Sequence, residues 1–317
     1  MKKLFILTMV ALGTLPALQA DPIDFSKISA QANWVLHADV EALNKSGTGS
    51  FIISKLKENP ETAKGIAMLN VVFGLDVDAI EHVAIFGRGE ANKGILTAKG
   101  GFDAERLEAI LATNASYVAK KHGDTVIHLI DQGTPDPKAI AFTGKDEMVA
   151  SNVTKFTEHG IEVINGKEAS LQKKGIYHAI TNALPHPMLV GAMNVKGVAE
   201  FNKRVQGPEA VLIQKTDAIG IAVSETGGMI MVATLLQAYD EETAVHVENV
   251  ARGLTSLLAL GSDIDPDLAA LFSRTKTKVS RKGKIISIEL GIEVDTVKEV
   301  IASEMAKNKI TKEKTDF

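Results

Sequence analysis

The sequence predicts an α+β protein built as two similar lobes, each a mainly antiparallel sheet with helices packed on one face. Three observations carry this. Apolar runs with strand character come in adjacent pairs separated by Gly-containing turns, so hairpins outnumber strand–helix–strand crossovers. Helical stretches open on Asp, Asn or Ser, whose side chains accept from the free N–H groups of a first turn. The same order of elements then occurs twice along the 317 residues.

In the first half, Trp34 to Val40 reads as a strand, and Asp39 is placed to cap the helix that follows through Glu41, Ala42 and Leu43. Ser46 to Gly49 interrupts that helix, and a further helical stretch runs to Phe73, where Gly74 stops it. Val83–Phe86 and Gly94–Ala98 form a hairpin around Gly87 to Glu90. Asp103 then caps a helix with Leu107, Ile110, Leu111 and Val118 on one face. Strands at Thr125–Ile130, Lys138–Thr143 and Glu147–Ser151 follow, with a helix at Val153–Gly160.

The second half repeats the plan. Met188 to Val195 is a strand leading to a helix around Ala199 and Phe201, with Asn194 placed like Asp39. Ile219–Val223 and Met229–Leu236 form the next hairpin, and Tyr239-Asp240 stands where Phe102-Asp103 stood. Val247, Val250, Ala251, Leu254, Leu257 and Leu258 mark the most regular amphipathic helix. A short helix at Pro266–Phe272, a hairpin at Thr275–Leu290 and a last helix at Thr296–Met305 complete the order. The triplet Asp78-Ala79-Ile80 stands 25 residues before Asp103 (103 − 78), and Asp217-Ala218-Ile219 stands 23 before Asp240 (240 − 217). An internal duplication explains this, with lobes at 21–165 and 166–306 joined near 165–187 and a frayed Lys-rich tail at 307–317.

The N-terminus predicts export. Lys2 and Lys3 precede the apolar run Leu4 to Leu12, and Ala20 stands before the first acid, Asp21. A charged start, an apolar stretch of about 7–15 residues and a small residue at the cut make a secretory signal. The expected signal peptide is 1–20, cleaved between Ala20 and Asp21, leaving no transmembrane segment and a periplasmic or extracellular product. The chain contains no Cys, which excludes disulfides, thiolate metal sites, thiol nucleophiles and lipid attachment through a cysteine. Its 35 basic and 39 acidic residues become 33 and 39 without Lys2 and Lys3, a net −6. That balance disfavours nucleic acid as a partner.

Few motifs carry chemistry. His37-x-Asp39 puts an imidazole and a carboxylate on one strand face with Glu41 close by, a pattern suited to metal or proton transfer. Helix capping by Asp39 is the simpler reading, so no catalytic residue, cofactor or metal ligand is assigned. Asp263-x-Asp265-x-Asp267 opens like a calcium loop, but Leu268 and Arg274 stand where that loop needs Gly and Glu. Glu242 and His246 are four apart on a helix without an HExxH pattern. Gly47-x-Gly49 and Gly87-x-Gly89 complete no phosphate cradle, and the SxxK runs at Ser54 and Ser170 have no partner motifs. Arg274, Lys276, Lys278, Arg281, Lys282 and Lys284 could contact an anionic polymer, although charge on an edge hairpin also guards against strand addition.

The run Trp34 to Leu43, with Phe102-Asp103 opening a helix, resembles a family of uncharacterised exported bacterial proteins. That resemblance implies export and an α+β fold and brings no activity. The function expected is therefore a non-enzymatic exported binding or structural module of the cell envelope. The alternative is an exported hydrolase or metal-dependent enzyme assembled from dispersed groups such as His37, Asp39 and His128. A concave pocket gathering such groups favours the enzyme, and a groove lined by Met, Val and Leu favours binding.

Overall fold

A computed structural model describes residues 23–90, 93–197, 213–260 and 275–315. Antiparallel pairing runs through the whole sheet. The first half supplies β1 (Trp34–Asp39), β2 (Leu75–Gly87), β3 (Ile95–Phe102), β4 (Val118–His122), β5 (Thr125–Ile130), β6 (Lys138–Phe142) and β7 (Glu147–Ser151). The second supplies β8 (Leu189–Asn194), β9 (Thr216–Thr226), β10 (Met229–Ala238), β11 (Lys276–Lys282) and β12 (Ile285–Glu293). All twelve belong to one sheet, in the order β11-β12-β10-β9-β8-β1-β2-β3-β7-β6-β5-β4.

Read outward from its centre, β1-β2-β3-β7-β6 and β8-β9-β10-β12-β11 follow the same plan, and β5 and β4 extend the first half. The halves meet where β1 pairs β8, Trp34 opposite Met193 and Leu36 opposite Gly191. The antiparallel α+β class expected from the hairpins holds, with the two halves fused edge to edge.

Eight helical segments are used below: α1 (Val40–Lys45), α2 (Gly47–Glu58), α3 (Pro60–Phe73), α4 (Ala104–Leu111), α5 (Thr154–Ile164), α6 (Ile176–Thr181), α7 (Glu241–Leu260) and α8 (Val294–Thr315). Helices cover both faces of the sheet rather than the one face expected, because several strands are apolar on both sides. In β10, Leu235 joins the main core with Ile176, Tyr177 and Ile180 of α6, whereas its neighbour Leu236 packs with Ala244 and Val247 of α7. Successive strand residues point to opposite faces, so α6 and α7 lie on opposite sides. On the α6 side, α5 closes a smaller core through Ile161 with Ile127, Leu129, Ala139 and Ala141.

The caps follow the sequence. Asp39 Oδ1 accepts from Ala42 N at 2.7 Å, Ser46 Oγ from Gly49 N at 2.9 Å, and Asp240 Oδ1 from Thr243 N at 2.7 Å. Gly74 ends α3 in the left-handed region at φ 65°, which a side chain there would resist.

Three local readings change. Val118 belongs to the edge strand β4 rather than to a helix face, because α4 ends at Leu111. The connection at 165–187 holds α6, whose Ile176, Tyr177 and Ile180 are all buried. The last helix runs on to Thr315 through residues rich in Lys and Glu, which are good helix formers. The signal segment, the cleavage bond, the helix near Ala199 and Phe201, the Asp263–Asp267 run with its short helix, and Arg274 all lie outside the described residues.

Candidate functional site

Strand β1 contributes to two concave features, one on each face of the sheet. Its alternation buries Val35, His37 and Asp39 on one side and directs Leu36 to the other, where it is 46 % exposed.

The first feature is a polar cavity of about 190 Å³ on the α6 side. Its floor comes from four neighbouring strands: His37 of β1, His82 and Ala84 of β2, Thr97 and Lys99 of β3, and Glu147 of β7. Register explains the gathering, since His37 stands opposite Ala84, and Ala84 opposite Thr97. Asp39 stands opposite His82, His82 opposite Lys99, and Lys99 opposite Glu147. The segment Ile23–Ile28, wound into a short 3-10 turn at Phe25–Lys27, forms the roof. Phe25 and Ile28 anchor it in the main core, and Lys27 reaches down to an ion pair with Glu147. The rings of His37 and His82 face each other with centroids 5.7 Å apart.

Both carboxylates in the wall also serve the roof. Asp24 Oδ1 accepts from Ser26 N at 2.9 Å and from Ser26 Oγ at 2.6 Å, and Glu147 holds Lys27. Lys99 pairs with Glu81 at 2.7 Å. The cavity therefore presents imidazole rings beside acids and ammonium groups that are already engaged, a lining suited to a small polar ligand.

The second feature is an apolar groove of about 290 Å³ on the α7 side, lined by Trp34, Gly191, Met193, Ile219 and Ile221. Gly191 keeps it open: a Cβ there would stand 3.1 Å from Ile221 Cγ2 and 3.4 Å from Leu36 Cδ1. Ile221 is 44 % exposed beside it. The Trp34 ring lies over Gly87 and Gly94, where a side chain on Gly87 would meet Nε1 at 3.0 Å. A second apolar hollow continues along the same face through Ile85, Leu96, Ile140 and Ala150, since Leu36 stands opposite Ile85 and Ile85 opposite Leu96.

The residues singled out by local spacing separate in space. His37 enters the polar cavity, Asp39 caps α1, and Glu41 sits on the surface in an ion pair with Lys45. His128 lies on β5, five strands away from β1 and on the opposite face from His37. There its Nδ1 stands 3.1 Å from Tyr117 Oη and its Nε2 3.4 Å from Glu108 Oε1. Glu242 and His246 are exposed on α7. Within the basic hairpin, Lys276, Lys278, Arg281 and Lys282 lie on the edge strand β11. Arg281 Nε donates to Glu248 Oε2 at 2.9 Å, and hydrogen bonds from Arg252 and Arg281 hold the Glu248 carboxyl below its usual range. Lys284 Nζ donates to the Tyr239 carbonyl at 3.0 Å. His82 escapes a reading by local spacing, because it reaches His37 only through the pairing of β2 with β1.

No family model matches the chain, and no curated protein matches it. Among solved structures, crystal form IV of TP0453 aligns with a TM-score of 0.51 at 12 % identity, covering 89 % of this chain and 97 % of that one. Crystal forms III and I of TP0453 align with TM-scores of 0.49 and 0.46, again at 12 % identity. At that identity the likeness is one of fold. None of the described helices is long and apolar enough to cross a membrane.

Proposed function

We propose that this chain is a non-enzymatic exported binding module of the cell envelope that takes an apolar or amphipathic ligand in the groove on the α7 side of its sheet. The observation that carries the reading is the groove lined by Trp34, Met193, Ile219 and Ile221, with Leu36 and Ile221 half exposed beside a glycine that leaves room for a guest. Apolar surface of this kind, continuous across strands, marks interaction sites more often than it decorates a surface. Export is supported by the charged start, short apolar run and small residue of the N-terminal segment. The matching strand plans of the two halves support an internal duplication. The basic strand β11 at the sheet edge remains a candidate for weak contact with an anionic polymer.

Trp34 is the sole tryptophan, which makes the groove optically addressable. Titration with 1-anilinonaphthalene-8-sulfonate is expected to give saturable energy transfer from Trp34. Ile221→Asp is expected to weaken that binding roughly tenfold or more, since it puts a charge where the groove offers the ligand an apolar contact. Absence of transfer in the unmodified chain, or equal binding by the variant, sinks the reading.

One observation favours the enzyme alternative: His37 and His82 converge on one cavity that also contains Glu147. The capping role of Asp39 and the remote position of His128 weigh against the constellation that alternative needs. Hydrolysis of p-nitrophenyl acetate by the unmodified chain and by His82→Gln is expected to proceed at the same background rate. A rate present in the first and abolished in the second replaces binding by catalysis.

A further inference from the structure

We infer that His159, Glu162 and Glu168 form a site for a divalent transition metal of the zinc type, separate from the polar cavity and the apolar groove. One ligand atom from each residue lies within 4.8 Å of the others. His159 and Glu162 stand three apart on α5, the spacing that places two side chains on one helix face. Glu168 reaches the same point because the chain turns back directly after the helix. The backbone N–H groups of Lys167 and Glu168 both donate to the Glu162 carbonyl, at 2.8 and 3.2 Å.

The surroundings orient these donors. Ser29, only 3 % exposed, places Oγ 2.7 Å from Nε2 of His159. When Nε2–H donates to that hydroxyl, Nδ1 keeps its lone pair, the arrangement by which second partners fix a ligating imidazole. Ser29 also forms an isolated antiparallel bridge with Ser170, two residues past Glu168, so one short segment steadies both the imidazole and the turn. On the neighbouring edge strand, His122 Nε2 stands 3.2 Å from Glu162 Oε1 and holds that carboxylate in place. Glu158 of the same helix is occupied by Lys120 at 2.6 Å and is not counted as a donor.

One imidazole with two carboxylates matches the donor types zinc accepts, and the imidazole argues against calcium or magnesium, which prefer oxygen alone. A bound ion would tie α5 to the connection leading into the second half. Through Ser29 it would also steady the N-terminal segment that roofs the polar cavity. In a chain without cysteine, such a link would supply the covalent-like restraint that a disulfide gives elsewhere.

The test is zinc competition against a chromophoric chelator, using the full chain after exhaustive chelation. The expected result is one zinc per chain, undiminished by excess calcium or magnesium, with a higher thermal midpoint when zinc is present. Glu168→Gln, on an exposed side chain whose loss leaves the core intact, is expected to weaken zinc by about tenfold or more and to cancel the midpoint shift. His159→Ala should do the same, and His82→Ala should leave zinc binding unchanged. No stoichiometric zinc, unchanged affinity in Glu168→Gln, displacement by calcium, or loss of zinc in His82→Ala each overturns the assignment.

Discussion

Replacing Ile180 by alanine is expected to lower the unfolding free energy by about 2–5 kcal/mol, the range for removing a buried aliphatic side chain that leaves a cavity. Ile180 is fully buried on α6, within the core that also takes Tyr177, Val190, Ala218, Ala222 and Leu235. Burial likewise raises the Tyr177 hydroxyl above its ordinary pKa. The backbone beneath is shaped to receive Ile180. A Cβ on Gly220 of β9 would stand 3.1, 3.1 and 3.2 Å from its Cβ, Cγ1 and Cδ1. Gly220→Ala alone is therefore expected to destabilise by overpacking, at roughly 1–3 kcal/mol. In the Ile180→Ala background the same change should cost less, because alanine removes the Cγ1 and Cδ1 contacts and leaves only the 3.1 Å approach to Cβ. Urea unfolding of the four chains measures this coupling. Additive effects would mean that α6 does not sit on β9 as described.

Gly101→Ala is expected to have a comparable effect for a backbone reason. Gly100 and Gly101 stand at φ 81° and 75°, close to the end of β3. They face the stretch of β2 where the register shifts between Leu75 and His82. A Cβ on Gly101 would lie 2.5 Å from the Asp76 carbonyl oxygen, and one on Gly100 would lie 2.7 Å from that of Ala79. Neither obstacle is a flexible side-chain end. The left-handed conformation costs about 1–2 kcal/mol for a residue with a Cβ, and relieving the clash adds more, for a total on the order of 2–5 kcal/mol. Gly123→Ala is the natural control: it shares a positive φ of 60°, but a Cβ there meets nothing within 4 Å. It should show only the conformational part of the loss. Equal midpoints for both variants would remove the close approach from the explanation.

The difference between what could and could not be read from sequence is physical. Hairpins such as β2–β3, β9–β10 and β11–β12 declare themselves through apolar runs and turn glycines, and the caps Asp39, Asp103 and Asp240 through side-chain type. Helix α6 does not. It spans six residues, too few for a period to emerge, and its preceding Gly175 makes no side-chain cap bond. β4 escapes notice because an edge strand on a large sheet can be polar: Ala119, Lys120 and Lys121 are all exposed. The sites follow the same logic. His37 was visible beside Asp39, two residues along the strand, but its ring neighbour His82 is 45 residues away (82 − 37) and arrives only through sheet register. His159 and Glu162 were within reach of a helical spacing rule, whereas Glu168 joins them through a turn that nothing in the spacing announces.

The pairing of β1 with β8 also governs what a severed half could do. Each of these two central strands satisfies its outward backbone groups only through the other half of the chain. Freed of residues beyond the connection, the N-terminal part would expose a bare row of amides along β1, ready to zip onto any extended segment. A second copy of itself, turned about a dyad, would offer such a segment with matching polarity, because two antiparallel edge strands can pair as β1 and β8 do.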